Sequence, residues 1–118
     1  MVDPERAGLC HCTDCQTLTG SAYRATVLAP AETFMLHGGP PKIYVKTADS
    51  GTKRAHAFCP ECGSPVYSAS ATEEPQTYSL RVGCLAQRSE LGPARQIWCR
   101  SALPWAMNLE GVARSEKG

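Results

Sequence analysis

Apolar and polar side chains alternate with a period of two along much of this chain. Tyr23, Ala25 and Val27 are interleaved with Arg24, Thr26 and Leu28, and Ile43 and Val45 with Lys42, Tyr44 and Lys46. The clearest run sets Tyr78, Leu80, Val82 and Cys84 against Thr77, Ser79, Arg81 and Gly83. Successive side chains of a strand point to opposite faces, so each run predicts a strand with one apolar and one polar side. Shorter strands are expected over 54–59, 65–68 and 95–99. Turn residues separate these runs, at Gly38-Gly39-Pro40-Pro41, Asp49-Ser50-Gly51 and Glu74-Pro75. Short strands punctuated in this way predict a mostly-β fold of antiparallel sheet.

Helix is expected only over 14–19. There Thr13 offers a cap, Gln16 follows three residues later in capping-box spacing, and Gly20 supplies the stop. A further single turn is expected over 30–34. No repeat, low-complexity tract or linker divides the sequence, which predicts one domain over 1–118 with frayed polar ends at 1–8 and 113–118.

Composition narrows the function classes. Hydrophobic residues make up 42% and charged residues 19%, ordinary values for a folded chain. Twelve Lys and Arg against eleven Asp and Glu leave a net charge of +1, with no basic stripe to recruit nucleic acid or an anionic membrane. No apolar run approaches the roughly 20 residues of a membrane span, and the first residues lack the build of a signal peptide. The seven cysteines are an odd number. Without a secretion signal they read poorly as a disulfide framework and better as metal ligands in a reducing, cytoplasmic compartment.

Five of them fall into two motifs. Cys10-His11-Cys12-Thr13-Asp14-Cys15 is a C-x-C-x-x-C cluster, and Cys59-Pro60-Glu61-Cys62-Gly63 is a C-x-x-C knuckle. Zinc holds sulfur at about 2.3 Å, which sets sulfurs roughly 3.8 Å apart around a tetrahedral ion. An extended segment brings Cys10 and Cys12 to one side, and tight turns close Cys12 to Cys15 and Cys59 to Cys62. Gly63 is suited to the left-handed conformation that ends the second turn. Two divisions of the ligands are open. Cys12, Cys15, Cys59 and Cys62 could clamp two hairpins as a four-cysteine zinc ribbon, or Cys10, Cys12 and Cys15 could hold a zinc with an open fourth position suited to catalysis. Three thiolates weaken the Lewis acid, so such a site favours soft thiol chemistry over amide hydrolysis. His11 and His56 are expected to face away from the sulfurs, toward solvent or behind the ligands. Cys84 and Cys99 are expected in strands as small buried hydrophobes.

These motifs, together with Leu18-Thr19-Gly20-Ser21-Ala22-Tyr23, Phe58, Ser64-Pro65, Ile97-Trp98 and Arg100-Ser101-Ala102-Leu103-Pro104-Trp105, resemble the glutathione-dependent formaldehyde-activating enzyme family, a domain also named for centromere protein V. The resemblance implies a β-tent of small antiparallel sheets around zinc, with Cys10, Cys12 and Cys15 on the reactive ion and Cys59 and Cys62 in a second, structural site. It also implies a further C-x-C pair ahead of the cluster. No cysteine precedes Cys10, so that pair and its strand are expected to be missing, leaving one complete ligand set and at most one zinc per chain. Cys59 and Cys62 would then recruit solvent, share the first metal or remain free.

The expected function is that of a zinc-dependent carbon–sulfur lyase acting on a thiol–aldehyde adduct such as S-hydroxymethylglutathione. The expected partner is a glutathione-like small thiol, met by Lys53, Arg54 and Arg100. His11, Asp14 and Tyr23 are the acid–base candidates, and Trp98 and Trp105 are expected to pack. The alternative is a non-catalytic zinc module that binds a protein partner.

Overall fold

The computed structural model describes residues 2–118. Seven strands, β1 (Ala7–Cys10), β2 (Arg24–Pro30), β3 (Lys42–Thr47), β4 (Lys53–Phe58), β5 (Pro65–Ser70), β6 (Thr77–Arg81) and β7 (Arg95–Ile97), join in one sheet of order β3-β4-β5-β6-β2-β1-β7. One α-helix, α1 (Thr13–Thr19), follows β1 among the described residues. The mostly-β class with very little helix is thus the observed one, with the strands in a single sheet rather than several small ones. Neighbours are antiparallel except β1 and β7, which run parallel. Parallel neighbours need a long crossover, and here most of the chain lies between them.

Register explains why the two faces of the sheet differ. Ala7, Val27, Leu80, Tyr67, Ala57 and Ile43 are successive partners across six strands. This apolar row carries the core, in which Ala7, Val27, Ala29, Leu80 and Leu91 are buried. Phe34, Tyr67 and Tyr78 pack on it, with ring centroids 4.8 to 5.5 Å apart. One residue along each strand the side chains point the other way. There Thr26 is opposite Arg81, and Ser79, Ser68 and His56 are successive partners. The alternation therefore separates a core face from a polar face, as the period of two requires.

Several local expectations are corrected. Of the stretch 1–8, expected to fray, Met1 lies outside the described residues, while Ala7 and Gly8 are paired in β1 with β2 and β7. The strand expected to run from Tyr78 to Cys84 ends at Arg81, and Val82–Cys84 is a 3-10 turn. Cys99 likewise lies in a 3-10 turn, Cys99–Ser101, beyond β7. Cys84 and Cys99 are both exposed, so neither is a buried hydrophobe. Trp98 and Trp105 are exposed rather than packed, at 55% and 58%.

The helix cap is also reassigned. Cys12, not Thr13, is the N-cap, and its Sγ accepts from the Cys15 backbone N–H at 3.3 Å. Gln16 does not reach back to the cap as a capping box would. Its Nε2 donates to the His11 carbonyl at 2.9 Å and the Ser101 carbonyl at 3.0 Å, tying α1 to the two segments beside it. Gly20 closes the helix at φ 65°, a conformation that favours glycine.

Candidate metal centre and its cavity

Cys10 ends β1, Cys12 caps α1, and Cys15 lies in its first turn. The strand end and the cap bring their Sγ atoms within 4.8 Å of one another. Zinc needs sulfurs roughly 3.8 Å apart, so the trio stands close to a ready-made set. No other His, Cys, Asp or Glu among the described residues completes the group. Burial pushes the Cys15 thiol well up, a hydrogen bond with Cys12 adds to this, and the Arg24 charge opposes it. Burial also raises Cys10. For Cys12 burial is outweighed by the Cys15 N–H and by hydrogen bonds with Cys15 and Cys10, and its net shift is downward. Three thiolates confined this closely need a cation to offset their charge, so the donor set fits a soft divalent metal.

Cys59 and Cys62 are not grouped with Cys10, Cys12 and Cys15. They form the expected turn by themselves. The Gly63 N–H donates to the Cys59 carbonyl at 2.8 Å, Gly63 takes φ 77°, and the Cys62 and Ser64 side chains meet at 3.1 Å. All seven cysteines are free thiols.

His11 points away from the sulfurs, as expected, but into the protein rather than toward solvent. It is fully buried, its Nε2 meets Gln96 Oε1 at 2.8 Å, and its ring packs edge-on to Tyr23. Neither His11 nor Tyr23 lines the cavity that the cysteines face.

That cavity, of about 820 Å³, is walled by the polar face of the sheet. Arg24 comes from β2, Arg81 from β6, Arg54 and His56 from β4, and Lys46 from β3. The sheet curls until β3, at one edge, meets the helix near the other, where Lys46 Nζ lies 3.1 Å from the Asp14 carboxylate. Arg54 Nη2 donates to Ser68 Oγ at 3.2 Å, and Arg81 Nη2 is 3.3 Å from His56 Nδ1. Burial lowers Arg81 to about 10, with the Arg24 charge adding to the effect. Burial and then the charges of Arg24, Arg81, Arg54 and Lys46 push His56 down to about 4, so its imidazole is neutral near pH 7. Trp98 stands at the rim and is the one non-glycine residue with positive φ, at 57°, among the described residues. A bulky side chain held there is strained.

Of the expected ligand contacts, Arg54 lines this cavity, while Lys53 and Arg100 are exposed outside its wall. Arg24, Arg81, Lys46 and His56 take their place. The only signal for them was the polar half of the alternation, which is ordinarily a solvated face.

A cysteine cluster that could hold a metal, set in the wall of a cationic cavity on a curled β-sheet, defines a mostly-β protein with a candidate metal centre. The chain belongs to the glutathione-dependent formaldehyde-activating enzyme family, whose model matches residues 1–101. No curated protein matches it. Among the described residues no helix is long and apolar enough to cross a membrane.

Proposed function

We propose that the protein is a cytoplasmic, zinc-dependent carbon–sulfur lyase that acts on the adduct of a glutathione-like thiol with formaldehyde. The observation that carries this reading is the grouping of Cys10, Cys12 and Cys15 on the wall of a cavity large enough for such a substrate. A zinc ion held by the three thiolates would supply a Lewis acid with a position left for the substrate. In the forward direction the thiol sulfur bonds to the aldehyde carbon, the carbonyl pair moves onto oxygen, and the thiol proton ends on that oxygen. The lyase direction reverses each of these movements.

The protein's own residues bind and orient the substrate. Arg24, Arg54 and Arg81 surround it with positive charge fixed by strand register, so little rearrangement is needed when negative charge develops. Of His11, Asp14 and Tyr23 only Asp14 lines the cavity, which makes its carboxylate the candidate carrier of the thiol proton. Cys59 and Cys62 lie outside this chemistry.

Exchange of labelled formaldehyde with S-hydroxymethylglutathione, followed by NMR, tests the reading. One equivalent of zinc should give a protein that accelerates exchange, and Cys15→Ser should abolish the acceleration. Four sulfurs around zinc by X-ray absorption, with no acceleration of exchange, would establish the non-catalytic module instead.

A further inference from the structure

The cationic wall holds more donors than the protein itself uses. Arg81 is only 7% exposed, yet its Nε and Nη1 have no hydrogen-bond partner, and its Nη2 meets only neutral His56. Arg24 Nε is also buried and unpaired. The single ion pair among the described residues, Lys46 with Asp14, leaves these guanidiniums without a carboxylate. Buried polar groups are almost always satisfied, and a buried charge left unpaired is costlier still. Donors fixed in this state on a cavity wall are a site awaiting an acceptor.

The charges around the cavity agree. Arg24, Arg54, Arg81 and Lys46 line it against the two carboxylates Asp14 and Asp49. A divalent ion on three thiolates carries −1, which still leaves a positive surplus.

Register places this surplus relative to the cysteines. Cys10 is the β-partner of Arg24, and Arg81 lies one strand further on, opposite Thr26. Adjacent strands are about 4.8 Å apart, so the backbone of Arg81 is on the order of 10 Å from that of Cys10 across the sheet.

We propose that Arg81 and Arg24 form a subsite for a carboxylate of the substrate thiol, so that the enzyme selects thiols carrying an acid group several bonds from sulfur. This rests on the reading of the cavity as a thiol–aldehyde site and adds its specificity. A planar guanidinium offers two parallel N–H donors that match the two oxygens of a carboxylate, as an ammonium cannot. Arg54, held by Ser68, supports the field without spare buried donors of this kind. Small neutral thiols would reach the metal but leave Arg81 unsatisfied, and a site whose polar groups stay unpaired discriminates strongly.

The test uses zinc-loaded protein and two ligands that cannot ligate metal as thiolates, S-methylglutathione and its dimethyl ester, compared by isothermal titration calorimetry. The acid should bind at least tenfold more tightly than the ester. Arg81→Gln should remove that preference by weakening the acid at least tenfold more than the ester, and Arg81→Lys should restore only part of it. Arg24→Gln should weaken the acid in the same direction and serves where Arg81→Gln does not fold. Equal binding of acid and ester, or a preference that survives both glutamine variants, overturns the proposal. A parallel titration of cobalt-loaded protein with glutathione and cysteamine separates it from the functional reading. If neither thiol moves the cobalt bands while the arginine-dependent preference persists, the thiol–aldehyde reading fails and the carboxylate subsite stands. If both thiols move the bands equally and no preference exists, the subsite fails and the thiol reading stands.

Discussion

Replacing Gln16 by leucine removes the link between α1 and the two segments that flank it. The wild-type amide donates to the His11 carbonyl at 2.9 Å and to the Ser101 carbonyl at 3.0 Å, and both bonds are partly buried. Each such bond contributes about 0.5 to 1.5 kcal/mol net, and leucine also strands two carbonyls that only water can then satisfy. The expected loss is about 2 kcal/mol, which in a domain of this size lowers the melting temperature by roughly 8 °C. Because His11 lies between Cys10 and Cys12, the same change should weaken metal binding, read as a lower affinity in competition with a chelating dye. Thr13→Ala is the control. Thr13 is not the cap, so its loss should cost less than about 0.5 kcal/mol, whereas a true capping threonine would cost about 1. Urea denaturation of the two variants decides the matter. A Gln16→Leu loss below about 0.5 kcal/mol, or a larger loss in Thr13→Ala, would refute the assignment of these bonds.

Other consequences can be measured on the same protein. Chelation should lower the melting temperature, and Cys15→Ser should lose cobalt binding while Cys84→Ser keeps it, since only the former belongs to the trio. An unchanged melt after verified metal loss would show that the core stands alone. The folded His56 is lowered to about 4 against an ordinary 6.5, so its contribution to stability is present above 6.5 and lost as pH falls toward 4. Urea midpoints of metal-free protein should fall over that window, and His56→Gln should flatten the slope. Arg81→Met should leave the ligand-free fold as stable or about 1 kcal/mol more so, because it replaces a buried, unpaired charge with an apolar chain. A loss greater than about 1 kcal/mol in calorimetry would make Arg81 structural. Trp98→Gly should relieve the positive-φ strain and raise stability by about 1 kcal/mol, and a lower melting temperature would count against strain at that position.

The sequence made the strands legible because one face of each had to be apolar. Val27 and Leu80 are core residues at the positions their alternation assigned. The cysteine trio was equally legible, because C-x-C in an extended chain followed by a tight turn leaves its sulfurs few places to go. The cavity wall was not. Arg24, Ser79 and Arg81 form the polar half of their strands, and a polar half normally faces water. What buries them is the curl that carries Lys46 of β3 to Asp14 of α1, a contact between residues 32 positions apart with no local signature. The ends of the long strands failed for a different reason. Val82 and Cys84 continue the alternation, but the chain turns at Arg81 because pairing with β2 stops at Thr26. Cys12 has no cap signature in the sequence, because a sulfur accepts hydrogen bonds weakly and a better-suited threonine stands beside it.

The two faces of the sheet differ in what they bury, and the difference bears on what a metal would add here. One face holds a modest core of Ala7, Val27, Ala29, Leu80 and Leu91, in which two of five residues are alanines that bury little area. The other face, which could have carried a second apolar layer, carries arginines instead. Their desolvation works against folding: burial is the leading influence on both Arg54 and Arg81, and each is lowered. The positive charge confined on that face costs stability that an opposite charge would offset. A divalent ion held by Cys10, Cys12 and Cys15 would join the strand end to the helix start and add its binding free energy to the fold. It would also turn three thiols into a unit of net negative charge beside Arg24, the partner of Cys10 across the β1–β2 ladder. With a metal bound, the cation wall and the three sulfurs would be complementary halves of one arrangement, each reducing the penalty of burying the other. What remains uncompensated is the far edge of Arg81, and an anionic ligand is the component that would complete the balance.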